Sequence, residues 1–268
     1  MGRIDIVGQT GKRSSHNVAS IGTNPVPRLI TGLNQTRASK QEIWNKKIST
    51  PAVVDKSGKL LVFKYLDALQ NAAAQFFAEK LTALKAYAIA GGSLTVKNAA
   101  GDNIFHVILR DSFKNHDSLE KYSNILGDLL HLGYQQNLDF SEKGSDGYTL
   151  LHLAACLPDA KSESLRNMEE IIKYCDWGVI NAMSSSNETA FFIALKNNNY
   201  SNARYLLKNG ANPEIKAGEN DSMVLLEKIA SELPPGSSWN SGARDFLELK
   251  LDVRSYIARK KLRSKGGN

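Results

Sequence analysis

The chain is poor in the residues that would announce chemistry or a membrane. Only two cysteines occur in 268 residues, Cys156 and Cys175. That excludes a disulfide framework and fits a reducing compartment. No run of 18 uncharged apolar residues exists, so no transmembrane helix is expected. The N-terminus is polar and lacks the apolar core of a secretory signal. His106, His116, His131 and His152 sit on separate predicted elements without paired-ligand spacing, so no metal site is expected. No cofactor motif survives inspection. Gly8-Gln9-Thr10-Gly11-Lys12 looks like a phosphate loop, but only two residues separate its glycines and Arg13 follows the lysine.

Charge is unevenly spread. Residues 1–59 hold ten Lys/Arg against three Asp/Glu, and residues 254–268 hold six Lys/Arg and no acid. The stretch between them is acidic, with eighteen basic and twenty-four acidic residues. The pI of about 9.2 is therefore a property of the two ends. This argues against a nucleic-acid footprint over the whole molecule.

What is present is a repeat. Thr149 and Thr189 each precede a short apolar run, Leu150–Ala155 and Ala190–Leu195, and their hydroxyls suit a helix N-cap. Gly210 follows Leu206-Leu207-Lys208-Asn209, where a helix ends in a left-handed residue, and Pro213 forbids its continuation. Such a unit is too short to bury its own apolar face and must stack on a neighbour. Aligning His106, His152, Phe192 and Leu225 sets Gly101 against Gly147 and Asn187 against Asn220, at spacings of 46, 40 and 33 residues. The longer spacings imply polar surface insertions around 111–119 and 157–165.

The stretch from Gly147-Tyr148-Thr149-Leu150-Leu151-His152 to Leu206-Leu207-Lys208-Asn209-Gly210-Ala211-Asn212 resembles the ankyrin repeat. The family's proline is replaced by Leu150, Ala190 and Ile104, and its histidine by Phe192 and Leu225. The resemblance implies an all-α, ankyrin-type helical solenoid of stacked helix-turn-helix units with short β-turns and helical caps at both ends. Four regions are expected: a basic, mobile or extended segment over 1–58; a helical cap or degenerate repeat over 59–92; the repeat array over 93–232; and a capping helix with basic tail over 233–268. Within 59–90 the apolar spacing fits one helix, or two broken near Gln75–Glu79. Helix pairs are expected at 104–110 with 119–132, ended by Gly133, at 150–155 with 168–175, and at 190–196 with 202–208. A further helix is expected from 222 to 231, stopped by Leu233-Pro234-Pro235-Gly236, and a last one over about 243–261.

For function, the resemblance implies a non-enzymatic scaffold or adaptor binding a partner protein on the concave face. Carried over by position, the turn tips fall at Lys143, Asp146, Tyr148, Ser185, Asn187, Glu188, Lys216, Glu219 and Asp221. Arg110 and Lys196, at the ends of first helices, would edge the groove. The alternative is a bacterial effector delivered into a host cell, with the repeats as substrate adaptor and an activity in the N-terminal segment. His152 and Cys156 share a helix face, as a Cys–His dyad would, but a structural role for both is the stronger reading. The tail residues Arg259, Lys260, Lys261 and Arg263 suit a solvated helix end, with a localisation signal or anionic-lipid contact as the second reading. A cytoplasmic monomer is expected, with the nucleus or a host cell as alternatives.

Overall fold

The apolar spacing of the sequence recurs as two rows of short helices. A computed structural model describes residues 60–114, 116–158, 162–216, 221–232 and 241–265. All of these lie within one compact unit, Gln35–Asn268. The helices are α1 Leu61–Gln70, α2 Ala74–Ile89, α3 Ile104–Lys114, α4 His116–Ser123, α5 Leu126–Gln135, α6 Leu150–Cys156, α7 Ser162–Ile172, α8 Trp177–Ile180, α9 Ala190–Lys196, α10 Tyr200–Lys208, α11 Ser222–Glu232 and α12 Ser241–Lys265. No strand occurs among the described residues, and an isolated bridge joins Met183 to Thr189. The described fold is thus all-α.

The first helices pack side by side in the order α1, α3, α6, α9, α11. The second helices form the other row, α2, α5, α7, α10, α12. Each contributes one apolar stripe to the shared core. On α1 this is Val62, Phe63, Leu66 and Leu69, and on α10 it is Ala203, Leu206 and Leu207. α6 and α9, with neighbours on several sides, bury nearly everything they carry, from Leu150 to Ala155 and from Ala190 to Leu195. Each fully buried Leu, Ile or Phe contributes about 1.5–3 kcal/mol of transfer free energy, so the core is heaviest at α6 and α9 and thins toward α2 and α11, where few side chains are buried.

Four helices end in the same way. A left-handed residue follows the helix, and the next N–H reaches back five residues. These bonds are Gly92 N to Tyr87 O (2.9 Å), Leu138 N to Gly133 O (2.9 Å), Asn199 N to Ala194 O (2.8 Å) and Ala211 N to Leu206 O (2.9 Å). The left-handed residues are Gly91 (φ 92°), Asn137 (φ 62°), Asn198 (φ 57°) and Gly210 (φ 102°). Orphan carbonyls at each helix end are satisfied by this arrangement.

Several expectations need correction. Gly133 does not end its helix; α5 runs to Gln135 and Asn137 turns the chain. Gly133 is instead where the Phe105 ring approaches, and a Cβ there would lie 2.7 Å from it. The polar insertion at 111–119 is mostly helical, because Leu119 and Tyr122 bury fully and give α4 an apolar edge against α3. The break in the N-terminal helix falls at 71–73, before Gln75. α7 begins at Ser162, six residues before expected, because Ser164 and Asn167 are buried on it. α8 was not anticipated; Asp176 caps it through Val179 N at 2.9 Å. Residues 1–59 and 233–240 lie outside the described residues, and with them the expected mobile or extended segment, the phosphate-loop look-alike and the Pro234-Pro235 stop.

A buried polar knot anchors the second insertion. The Asn199 amide donates to Leu157 O, and Asn202 donates to Ala154 O (3.2 Å) and Ser164 Oγ (3.0 Å). All three side chains are inaccessible. They tie the C-terminal end of α6 to α7 and α10, which belong to two different units.

Candidate protein-binding face

Three turns precede α3, α6 and α9, and they are the same turn. Asn98 N donates to Asp102 O, Gly144 N to Tyr148 O and Ser184 N to Glu188 O, each at 2.8 Å. Inside each, the residue three positions on returns a bond: Gly101 to Asn98 (3.0 Å), Gly147 to Gly144 (3.0 Å) and Asn187 to Ser184 (3.1 Å). Gly101, Gly147 and Asn187 all have positive φ. Consecutive turns also touch, through Ser185 N donating to Gly147 O at 3.0 Å and Ser145 N donating to Asp102 Oδ1 at 2.7 Å.

A helix N-cap follows each turn. Thr149 Oγ1 bonds His152 Nδ1 at 2.7 Å, and the His152 ring reaches across to Ala182 O (3.1 Å) and Glu188 O (3.0 Å) through Nε2. Thr189 caps α9 through Phe192 N at 3.2 Å. In the first repeat Asn103 takes the cap, accepting from Phe105 N, His106 N and His106 Nδ1. Burial lowers the pKa of both rings, and that of His152 falls to about 4. Both rings are therefore neutral at pH 7. The Cys156 thiol is pushed up to about 11 by burial, so it is not a thiolate, and both His152 nitrogens are committed to other partners.

The repeat register also lines up side chains that sequence reasoning did not connect. Asp102, Tyr148 and Glu188 occupy one position, and Arg110, Cys156 and Lys196 occupy another, at the 46- and 40-residue spacings. In the first unit Arg110 pairs with Asp102 and with Asp146 of the next turn, at 2.8 Å for the latter. Burial opposes the charge on Asp102, but hydrogen bonds from Arg110 and Ser145 outweigh it and hold the carboxyl below its usual range. In the third unit Lys196 bonds Glu188 at 2.9 Å, which raises the lysine pKa. Between these two ion pairs the middle unit offers Tyr148, stacked on His152 at 5.8 Å between centroids. Burial raises the Tyr148 phenol pKa, so it stays neutral.

The structure gathers Arg110, Asp146, Tyr148, Glu188 and Lys196 into this row and adds Asp102, which was missed. Its signal was available, since it stands 46 residues before Tyr148. Arg110 is not at a helix end, because α3 continues to Lys114; Lys196 is the last residue of α9. Lys143, Ser185 and Asn187 are exposed on turns, and the Lys143 carbonyl accepts from Lys97 Nζ at 3.3 Å. Asp221 is engaged as a cap, its carboxylate accepting from Met223 N at 2.7 Å. Lys216 is exposed, and Glu219 lies outside the described residues. Arg259, Lys260, Lys261 and Arg263 are exposed on α12, with Lys260 joined to Glu214. Among the described residues no cluster of His, Cys, Asp or Glu could hold a metal ion, and no helix is long and apolar enough to cross a membrane.

Comparison with known proteins agrees with this geometry. The family model for ankyrin repeats, in three copies, matches residues 116–217. Among solved structures, an ankyrin repeat domain from Acinetobacter baumannii AYE is similar with a TM-score of 0.50 and 16% identity, over 81% of this chain and 91% of that one. No curated protein matches. Residues 116–217 are ankyrin repeats, and the fold around them is an ankyrin-type solenoid. Ankyrin repeats are generally protein–protein interaction modules.

Proposed function

We propose that this chain is a non-enzymatic scaffold that binds a partner protein on the face made by its turns and first helices. The observation that carries this reading is the row of fixed polar groups around Tyr148. Arg110 and Lys196 are each held by carboxylates, so their positions are set before any partner arrives. Preorganised charged and aromatic side chains lower the entropy lost on association. Tyr148, half-buried between them, is the residue type that anchors interfaces. The mixed signs favour a partner with alternating charge over a uniformly basic or acidic one. The alternative, an effector with an activity in the N-terminal segment, draws no support from this face.

The test is capture of partners from lysate by the full chain, beside a Tyr148→Ala/Lys196→Glu variant whose circular dichroism matches the parent. Retention of a partner should fall at least about tenfold, the loss of one interface anchor. Equal retention by both chains would remove the face from consideration.

A further inference from the structure

The last helix has two apolar stripes, and only one is used by the fold. Phe246, Leu249 and Val253 are fully buried. Leu247, Leu251 and Leu262 are exposed by 40%, 62% and 70%, and Ala258 is exposed with them. At about 100° per residue these four fall within about 60° of one another, roughly 155° around the helix from the buried stripe. Residues 253–265 hold six Lys/Arg and no Asp/Glu. Arg254 and Lys261 border the leucines on one side, and Arg259 and Arg263 lie beyond Leu262 on the other. Glu248 and Asp252 fall on the same flank as Arg259 and Arg263 but nearer the start of the helix, where Arg204 neutralises both.

We infer that α12 seats this protein on an anionic lipid surface, its leucine stripe entering the acyl boundary and its cations reaching the headgroups. A helix with leucines on one face and Lys/Arg flanking them binds in the plane of a membrane interface. Long cationic side chains on both flanks can bend back to the headgroups while their stems cover apolar surface. Each cation near such a surface adds attraction that an uncharged bilayer lacks. The shape favours a bilayer over an acidic protein. The stripe stands on one helix and faces away from the α10 contact, so it is a ridge, and a ridge fits a deformable plane.

The experiment is co-sedimentation of the full chain with phosphatidylcholine vesicles containing one-third phosphatidylserine, against vesicles of phosphatidylcholine alone. Binding is expected to the first only. Leu251→Ser/Leu262→Ser and Lys261→Glu/Arg263→Glu should each weaken it about tenfold or more, with circular dichroism unchanged because all four side chains are exposed. Tyr148→Ala/Lys196→Glu should sediment like the parent, which separates this inference from the partner-binding face. Three results would overturn the proposal. The first is failure to sediment with anionic vesicles, which would leave the stripe to an acidic protein surface. The second is equal binding to neutral vesicles. The third is unchanged sedimentation of the leucine pair, which would place the contact on other basic residues of the chain.

Discussion

The first and second repeats build one turn and one helix cap with different chemistry, and the difference decides what each can tolerate. In the second, Thr149 donates its hydroxyl proton to His152 Nδ1, which leaves the ring proton on Nε2 to bond two carbonyls of the next unit. In the first, Asn103 Oδ1 can only accept, so His106 carries its proton on Nδ1. Its Nε2 then finds no partner among the described residues, and neither does Asn103 Nδ2. The swap of Thr for Asn thus inverts the tautomer and cuts the bridge to the following unit. The first repeat replaces that bridge with an ion-pair clamp, Arg110 on Asp102 and Asp146. One repeat is coupled by a neutral ring, the other by charge.

The largest expected effect tests that coupling directly. His152→Ala removes the cap partner, takes the side-chain donor from Ala182 O and one of two donors from Glu188 O, and empties a buried site, which should cost about 3 kcal/mol in urea unfolding. His106→Ala loses a cap contact alone and should cost about 1–2 kcal/mol. Acid sharpens the contrast. Burial lowers the pKa of His152 to about 4 in the folded chain, against about 6.5 unfolded. Its contribution is complete above about pH 6.5 and is lost as pH falls toward 4, because the unfolded chain binds a proton that the folded ring refuses. The loss amounts to about 3 kcal/mol over that window. A His152→Gln variant should show a flatter stability profile between pH 7 and 4.5, and an unchanged slope would refute the assignment.

The glycines separate the two turns next. Gly147 and Gly101 both have positive φ, but a Cβ at Gly147 would lie 2.2 Å from Ser185 Oγ, whereas Gly101 has nothing within 4 Å. Gly101→Ala should cost about 1 kcal/mol, the backbone strain alone. Gly147→Ala should cost about 2–3 kcal/mol, and Ser185→Gly should recover part of it. Similar thermal shifts for both alanine variants would mean that the turns are not locked to each other.

This contact between turns also shows where sequence reading stops. The starts of α6 and α9 were legible because Thr149 and Thr189 are caps followed by largely apolar runs, and both helices begin on the next residue. Gly210 was legible because a left-handed helix stop favours glycine. Asn137 does the same work after α5, and there Gly133 drew the expectation four residues early. The insertion at 111–119 looked polar because only one edge of α4 is buried, through Leu119 and Tyr122, and one edge is a weak periodic signal over eight residues. The candidate face was half legible. Its turn residues follow from repeat register, but the Arg110 clamp joins residues 36 apart whose proximity exists only once the turns stack.

The smallest effects compare the two cations at equivalent positions. Arg110 is 22% exposed and serves Asp102, whose side chain is only 6% exposed. Arg110→Ala strands that carboxylate, so about 2 kcal/mol should be lost at pH 7. Because Asp102 is held below its usual pKa, the loss should shrink as pH falls below about 4, where the unfolded carboxyl also becomes protonated. Lys196 is 59% exposed, and its pair with Glu188 is open to solvent on the lysine side. Lys196→Ala should therefore change stability by about 0.5 kcal/mol or less. That near-neutrality is what makes it informative. Glu188 holds the ammonium in place, yet the fold gains almost nothing from it. If Lys196→Ala leaves the urea midpoint where it was and still weakens partner capture, the ammonium is positioned for a partner; if capture is also unmoved, the pair is surface chemistry, and only Tyr148 and the Arg110 clamp remain as anchors.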